Sequence, residues 1–223
     1  MIGALKQAWE FLPEFLARLS VRRDSGPIDG VEVLSGFVST RAAFIAQKTL
    51  YGYLKARMGT RYPSMFEDDV FVTSIDIAKM HIFAACLSDL SIFAVSRALR
   101  DEPLEEPLLR QLALYCFQHG LAENREQANR AEDFSIPDSL AAFERRLAFV
   151  DWRSGPGGAD LFTASPKALF EWAPIAPRLK KDDKDIVENS IRFAWRDIRV
   201  QFDKRIDRAA LAADLRDQPP SQN

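Results

Sequence analysis

Histidine and cysteine are scarce in this sequence. Its 223 residues include two histidines, His81 and His119, and two cysteines, Cys86 and Cys116. They form neither a Cys-x-x-Cys nor a His-x-x-x-His pair. Because structural zinc sites take most of their ligands from these residue types, the sequence predicts no metal site, and no motif predicts a cofactor. Both cysteines lie in apolar helical patterns, where cysteine usually acts as a small core residue.

An excess of positive charge and long uncharged apolar runs are also missing. The formal net charge is −2, whereas a general nucleic-acid binder usually carries a basic excess, so we expect no nucleic-acid partner. No stretch reaches the roughly 18 uncharged apolar residues of a membrane span. The closest stretch, residues 70–99, contains Asp76, Lys79, His81 and Asp89. We therefore predict no transmembrane helix.

Apolar residues recur every three or four positions along most of the chain, which predicts helices. No run alternates long enough to predict a strand. The fold class is therefore predicted to be all-α: one helical domain over residues 1–215, a bundle around a central apolar helix, followed by a disordered tail at 216–223. The predicted helices cover residues 2–21, 31–58, 69–100, 105–119, 138–149, 165–172 and 183–215.

The helix predicted at 69–100 is apolar on nearly all sides. Such a helix is normally buried, so we expect the rest of the domain to pack around it. Asp68 or Asp69 is predicted to cap its first turn. Asp76 and Lys79, three residues apart, are predicted to form an ion pair on it.

Single residues predict where other helices begin and end. Gly59 and Gly120 are predicted to stop the second and fourth helices. Asp138 or Ser139 is the predicted cap of the helix at 138–149. Ser165, followed by a proline, is the predicted cap of the helix at 165–172.

The N-terminal helix has a distinct apolar stripe, in which Pro13 predicts a kink or a split. Two roles stay open: packing into the domain, or lying on an anionic membrane surface, since Arg18, Arg22 and Arg23 follow the stripe. Acidic residues interrupt the apolar run, so it does not predict a signal peptide, and we expect a cytoplasmic protein, with peripheral inner-membrane contact through this helix as the second expectation. The stripe consists of Leu5, Trp9, Leu12, Leu16 and Leu19.

The two histidines are the weak catalytic candidates. The sequence has no Gly-x-Ser-x-Gly motif. His81 and Ser88 share one helix, where seven residues place them about 10 Å apart along the axis. A hydroxyl and its base need a separation of about 3 Å, so these two cannot form a dyad. His81 is therefore predicted to be a core residue, unless His81 or His119 meets a serine from another helix.

One segment combines aromatic and basic residues near a helix end. Tyr51, Tyr53, Arg57, Arg61 and Tyr62 are the candidate binding residues. They could contact a protein partner or a phosphate group. The alternative is an ordinary helix C-terminus with favourable cations. The charged face of the helix at 183–215 is typical of a solvated surface.

Two stretches, Thr49 to Phe93 and Ala168 to Asp207, carry a resemblance. They include TLYGYLKARMGTRYPSMFEDDVFVTSIDIAKMHIFAACLSDLSIF and NSIRFAWRDIRVQFDKRID. Together they resemble an uncharacterised family of helical alphaproteobacterial proteins. Some members of that family are labelled esterases. The resemblance attaches no catalytic residue of this chain to that label.

The chain is also remotely similar to the ubiquinol-cytochrome c chaperone family. A Leu50-Tyr51 pair precedes a proline-containing turn, Met80-His81-Ile82 lies in a long apolar helix, and a basic aromatic helix ends near Arg192 to Asp207. The turn is Tyr62-Pro63-Ser64-Met65, where that family has a Val-Pro-Asp-Thr-like sequence. The similarity implies an all-helical fold and a role in respiratory-complex assembly near a membrane.

The sequence thus predicts a non-enzymatic protein-interaction or assembly factor with a protein partner. The alternative is an esterase or other hydrolase. It predicts that His81 or His119 lies in an open pocket beside a serine of another helix.

Overall fold

The computed structural model describes residues 26–153 and 158–220. Within them the chain forms nine α-helices and no β-strand, which confirms the predicted all-α fold. The helix predicted at 2–21 lies outside the described residues. Three 3-10 helices lie at Gly59–Arg61, Pro63–Glu67 and Ala159–Leu161. The helices are α1 Val31–Met58, α2 Asp69–Leu99, α3 Glu106–Glu123, α4 Arg125–Arg130, α5 Ile136–Leu147, α6 Ala164–Trp172, α7 Pro177–Lys180, α8 Lys184–Arg205 and α9 Arg208–Asp217.

Helix α2 lies at the centre of the fold and packs against α1, α3 and α6. Most of its 31 residues are buried, as expected for a helix that is apolar all round. Of the described helices, it is the one long and apolar enough to cross a bilayer, and 89% of its most apolar window is buried inside the fold. A core helix and a membrane span both meet that criterion. The prediction of a central apolar helix is confirmed.

The ends of α1 and α2 match the sequence prediction. Gly59 ends α1 with a φ of 55°, a left-handed conformation that favours glycine. The Asp68 carboxylate accepts hydrogen bonds from the backbone N–H groups of Val70 (2.9 Å) and Phe71 (3.4 Å) and so caps α2. The Lys79 ammonium lies 2.6 Å from Asp76, which confirms the predicted ion pair.

Gly120 does not end α3, and that prediction is wrong. The helix continues to Glu123. A Cβ on Gly120 would lie 2.7 Å from both Leu87 methyl carbons of α2. The glycine therefore permits close approach of two helices and is not a helix stop.

The predicted caps of α5 and α6 are also wrong. Helix α5 begins at Ile136, and its cap is Ser135, whose hydroxyl accepts a 3.2 Å hydrogen bond from the Asp138 N–H. Helix α6 begins at Ala164, which places Ser165 inside the helix, with its hydroxyl turned to Asp89 of α2. The cap of α5 is thus a local residue three positions before the predicted Asp138, whereas the first turn of α6 is capped by the distant Asp89.

The single helix predicted at 183–215 is divided into α8 and α9. Ile206 forms a parallel bridge with Ile28, whose N–H donates to the Arg205 carbonyl at 2.8 Å. The chain turns there, and Asp207 caps α9. Where the sequence predicts a tail, α9 continues to Asp217 and the buried Pro220 accepts a hydrogen bond from Gln111; residues 221–223 lie outside the described residues.

Candidate functional site

His81 is held by aromatic rings and one backbone carbonyl. Its imidazole is partly buried and stacks on Trp172, with ring centroids 3.4 Å apart and planes 2° apart. Phe134 meets it edge-on, and its Nε2 lies 3.2 Å from the Asp133 carbonyl. Because a carbonyl only accepts, this bond places a proton on Nε2. Burial lowers the pKa of His81, although the bond to Asp133 opposes that shift.

His119 lies on α3, partly exposed. Its Nε2 is 3.4 Å from a Glu123 carboxylate oxygen, one helical turn away, and its ring is tilted against Tyr115. Among the hydrogen bonds of the described residues, neither His81 nor His119 contacts a serine hydroxyl. The structure therefore does not bring together the pair that the hydrolase hypothesis requires.

A buried polar cluster, formed by Asp89, Arg146, Ser165 and Trp195, joins four helices. Asp89 is fully buried, and its carboxylate lies 2.7 Å from the Arg146 guanidinium. It accepts the Ser165 hydroxyl at 2.6 Å, and that hydroxyl accepts the Trp195 indole N–H at 2.9 Å. The backbone N–H groups of residues 163, 164 and 165 also donate to Asp89.

This Asp89 cluster acts as a cap supplied from outside the helix. A carboxylate at the first turn of α6 satisfies N–H groups that no local side chain satisfies, and it interacts favourably with the helix dipole. Arg146 also donates to the Leu161 carbonyl and the Ser88 hydroxyl, which ties α5 to α2 and to the segment before α6. Among the described residues, no imidazole contacts the fully buried Ser165 hydroxyl, and the contacts that the cluster shows join helices to one another.

Two of the five predicted binding residues hold α8 in place. The Tyr53 hydroxyl donates to Asp183 at 2.8 Å, and the Arg57 guanidinium forms a two-pronged ion pair with the same carboxylate. Asp183 precedes α8 and is buried. Burial and the Asp183 hydrogen bond raise the pKa of Tyr53 to about 12. These side chains therefore have a structural partner inside the fold.

The other three predicted binding residues lie near the connection between α1 and α2. Tyr51 is partly buried, and burial together with the nearby Asp76 carboxylate raises its pKa to about 12. Tyr62 packs edge-on against Phe66, and Arg61 is exposed. A ligand-contacting role for the five predicted binding residues therefore remains a prediction.

Three apolar side chains lie exposed along α8, and we call them the α8 row: Ile186, Phe193 and Val200, with 68%, 66% and 48% of their surface exposed. Residues seven apart on a helix lie within about 20° of each other, so the row follows one line about 21 Å long. Leu179, seven residues before Ile186, is also exposed at 52%. The other side of α8 is buried in the core, through Val187, Ile191, Ala194, Trp195, Ile198 and Phe202.

The charge pattern of the sequence does not predict the α8 row. Arg192, Arg196 and Asp197 dominate the face that carries it, and this pattern predicts a solvated charged surface. The Arg196 guanidinium lies 5.7 Å from the Phe193 ring centroid, so charge and apolar surface are interleaved. The seven-residue spacing was the signal that could have revealed the row.

A small cavity and an open groove lie among the described residues. A cavity of about 10 Å³ lies beside Gln47, Lys79 and Asn124, close to the smallest volume that holds one water. An open groove is lined by Arg125, Glu132, Phe134 and Ser135. No group of three or more His, Cys, Asp or Glu side chains in the described part of the chain could hold a metal ion.

Both cysteines are free and fully buried. Burial raises the pKa of the Cys86 and Cys116 thiols, which favours their protonated form. Comparison with known families, curated proteins and solved structures finds no match to this chain.

Proposed function

We propose that this protein is a non-enzymatic interaction or assembly factor that docks an amphipathic helix of a partner protein onto the α8 row. The observation that carries the proposal is the second apolar line on a helix whose opposite side is already buried. Helix-in-groove recognition uses such regularly spaced anchors.

The resemblance to the ubiquinol-cytochrome c chaperone family suggests the class of partner. In this proposal the partner is a respiratory-complex subunit or another protein of the same membrane. The protein then works in the cytoplasm, with peripheral contact at the inner membrane. Charges of both signs flank the row, since Arg192 lies 2.9 Å from Glu188 and Arg196 lies 3.7 Å from Asp197.

The test is a crosslinked pull-down of the tagged protein from its native cells, with soluble and membrane fractions kept separate. Phe193→Lys is the test variant and Phe149→Lys the matched control, because Phe149 is also an exposed phenylalanine (89%) but lies outside the row. Circular dichroism of both variants establishes that they fold. We expect a stoichiometric partner that is retained by Phe149→Lys and lost from Phe193→Lys. A partner retained by both variants, or none in either fraction, contradicts the proposal.

Ester hydrolysis is the second candidate function. The observation that favours it is the position of His81: its Nε2 contacts Asp133, and Ser135, two residues later, lines the open groove. The Ser135 hydroxyl caps α5 in this structure, so it would have to turn toward the imidazole. Short-chain ester hydrolysis that is abolished by His81→Ala and unaffected by His119→Ala is the result this function requires.

A further inference from the structure

The α8 row belongs to a longer stripe of exposed side chains on one face of α8. Its members are three or four residues apart, and such steps keep successive side chains within about 60° of each other around a helix. Asn189, Asp197 and Lys204 occupy the steps between and beyond the apolar members, and all three are exposed. Asp182, which is exposed and lies just before α8, continues the same spacing. This α8 stripe consists of Asp182, Ile186, Asn189, Phe193, Asp197, Val200 and Lys204.

The α8 stripe is symmetric about Phe193. Ile186 and Val200 lie seven positions to either side of it, and Asp182 and Lys204 lie eleven positions to either side. In an antiparallel pair of α8 helices with Phe193 level with Phe193, a residue before Phe193 in one copy lies level with the residue equally far after it in the other. An isoleucine then meets a valine, and a carboxylate meets an ammonium group. The stripe is therefore complementary to itself, which is what a two-fold interface requires.

The charges of the stripe select the antiparallel direction. In a parallel pair every residue would lie level with its own counterpart, so that Asp182, Asp197 and Lys204 would each meet a like charge, which is unfavourable. In the antiparallel pair Asp182 meets Lys204, and Asp197 lies level with Asn189, whose amide carries two N–H donors. Such complementarity fixes the direction and register of an interface more than it adds affinity.

We infer that a second copy of this chain pairs with the α8 row, with the two α8 helices antiparallel and Phe193 of both copies at the two-fold axis. The inference rests on the proposed function in that it concerns the same docking face: the second copy covers the row until a partner helix takes its place. A contact made by one helix from each copy is small, so we expect a Kd on the order of 10 μM, weak enough for such an exchange.

The first test is sedimentation velocity of the purified full-length chain at concentrations below and above that Kd. We expect a monomer that becomes a dimer as the concentration rises. Phe193→Lys should raise the dimer Kd by at least about tenfold, because two ammonium groups would meet at the axis. Phe149→Lys, at an exposed site outside the stripe, should leave the Kd unchanged. Circular dichroism establishes that both variants fold. A chain that stays monomeric, or a Kd that Phe193→Lys does not change, overturns the inference.

The second test reverses the charges at the two ends of the stripe. Asp182→Lys places ammonium groups level with Lys204 at both ends of the dimer, and Lys204→Asp places carboxylates level with Asp182. Each variant alone should therefore dimerise about tenfold more weakly than the wild type at low ionic strength, where surface charges are least screened. An equal mixture of Asp182→Lys and Lys204→Asp should recover the wild-type Kd, because opposite charges meet again. A mixture that dimerises no better than its components refutes the antiparallel pairing.

The third test separates this inference from the proposed function. Two differently tagged copies of the chain are expressed together in the native cells, and one tag is pulled down. We expect the partner to be recovered with the first tag and without the second, since one face cannot hold both. A partner recovered together with both tags refutes the exchange. A partner found for a chain that does not dimerise refutes the inference and leaves the proposed function standing. A dimer without any partner does the reverse.

Discussion

The Ser165 hydroxyl donates a 2.6 Å hydrogen bond to the Asp89 carboxylate, and both side chains are fully buried. This contact joins α6 to α2 through two residues that are 76 positions apart in the chain. One carboxylate thereby orients the first turn of α6, and the Trp195 indole bound to the same hydroxyl brings in α8. This buried contact is therefore one of those that position α8, together with the Asp183 contacts of Tyr53 and Arg57.

Asp89→Asn is expected to lower the free energy of unfolding by about 3 kcal/mol, because it breaks a buried ion pair and leaves Arg146 without its charge partner. The asparagine amide would also place its NH₂ group against a backbone N–H donor, because each oxygen of the Asp89 carboxylate accepts a hydrogen bond from a backbone N–H group. Urea unfolding at constant m-value measures the loss. Asp160→Asn, at an exposed site, is the control. Equal losses in the two variants would show that the Asp89 contacts contribute nothing.

Ser165→Ala is expected to cost less, about 1–2 kcal/mol, because the backbone donors to Asp89 remain while the Trp195 N–H loses its acceptor. Ser165→Cys retains a side chain of similar size but a weaker acceptor, and should lie between the wild type and the alanine variant. The same urea titration measures both. A Ser165→Ala protein as stable as the wild type would mean that the indole N–H finds another acceptor.

Local sequence patterns predicted the parts of the fold that local forces determine. The bounds of α1, the cap at Asp68 and the burial of α2 follow from periodicity and from end residues, because the residues that decide them are neighbours in the chain. The start of α6 did not follow, since its cap, Asp89, is supplied by another helix. Ser165 has the sequence of a local cap and instead serves as a tertiary contact.

The candidate site shows the same division. The aromatic and basic pattern of Tyr53 and Arg57 predicts a binding surface. Their partner in the fold is Asp183, which is 126 or more residues away in the chain. No local pattern reveals such a partner. The α8 row, in contrast, was visible as a seven-residue spacing, but only the burial of the opposite face distinguishes it from an ordinary helix surface.

Asp183→Asn is expected to reduce the acid sensitivity of folding. Burial alone would raise the pKa of Asp183, but hydrogen bonds from Tyr53 and Arg57 outweigh it, and the pKa is lower than usual. Such a carboxyl stabilises the fold above its unfolded-state pKa of about 3.9, and this contribution is lost as the pH falls through the lower folded-state value. Asp183→Asn should therefore be less stable than the wild type at neutral pH and approach it in acid. Unfolding titrations at several pH values test this with Asp183→Asn and with Asp182→Asn, a neighbouring exposed site, as the control. If the stability of both variants approaches that of the wild type in acid to the same extent, the role assigned to Asp183 is contradicted.

His81 is expected to make stability fall in mildly acidic solution. Its pKa is lowered by burial, so the folded protein favours the neutral imidazole. The stability that this provides is complete above the unfolded-state pKa of about 6.5 and is lost as the pH falls through the lower folded-state value. His81→Gln should flatten the curve of unfolding free energy between about pH 7.5 and pH 5, where histidine titrates. His119→Gln should leave the slope of unfolding free energy against pH unchanged. If His119→Gln removes the slope and His81→Gln does not, the assignment to His81 is refuted.

Gly120→Ala and Gly52→Ala should have opposite effects, although both glycines lie inside long helices. Alanine is favoured over glycine in a helix by about 1 kcal/mol, so Gly52→Ala, whose new Cβ meets nothing within 4 Å, should stabilise the protein by up to that amount. At Gly120 the same methyl would lie 2.7 Å from Leu87, and relieving that overlap should cost about 1–3 kcal/mol, more than the helix gains. Urea unfolding is measured for Gly52→Ala, for Gly120→Ala, for Leu87→Ala and for the double variant Gly120→Ala with Leu87→Ala. The last three separate the cost of the overlap from the gain in helix propensity. Because alanine at position 87 removes the overlap, the double variant should be more stable than the summed effects of Gly120→Ala and Leu87→Ala predict. Strict additivity of these two effects would show that α2 and α3 do not meet at this glycine.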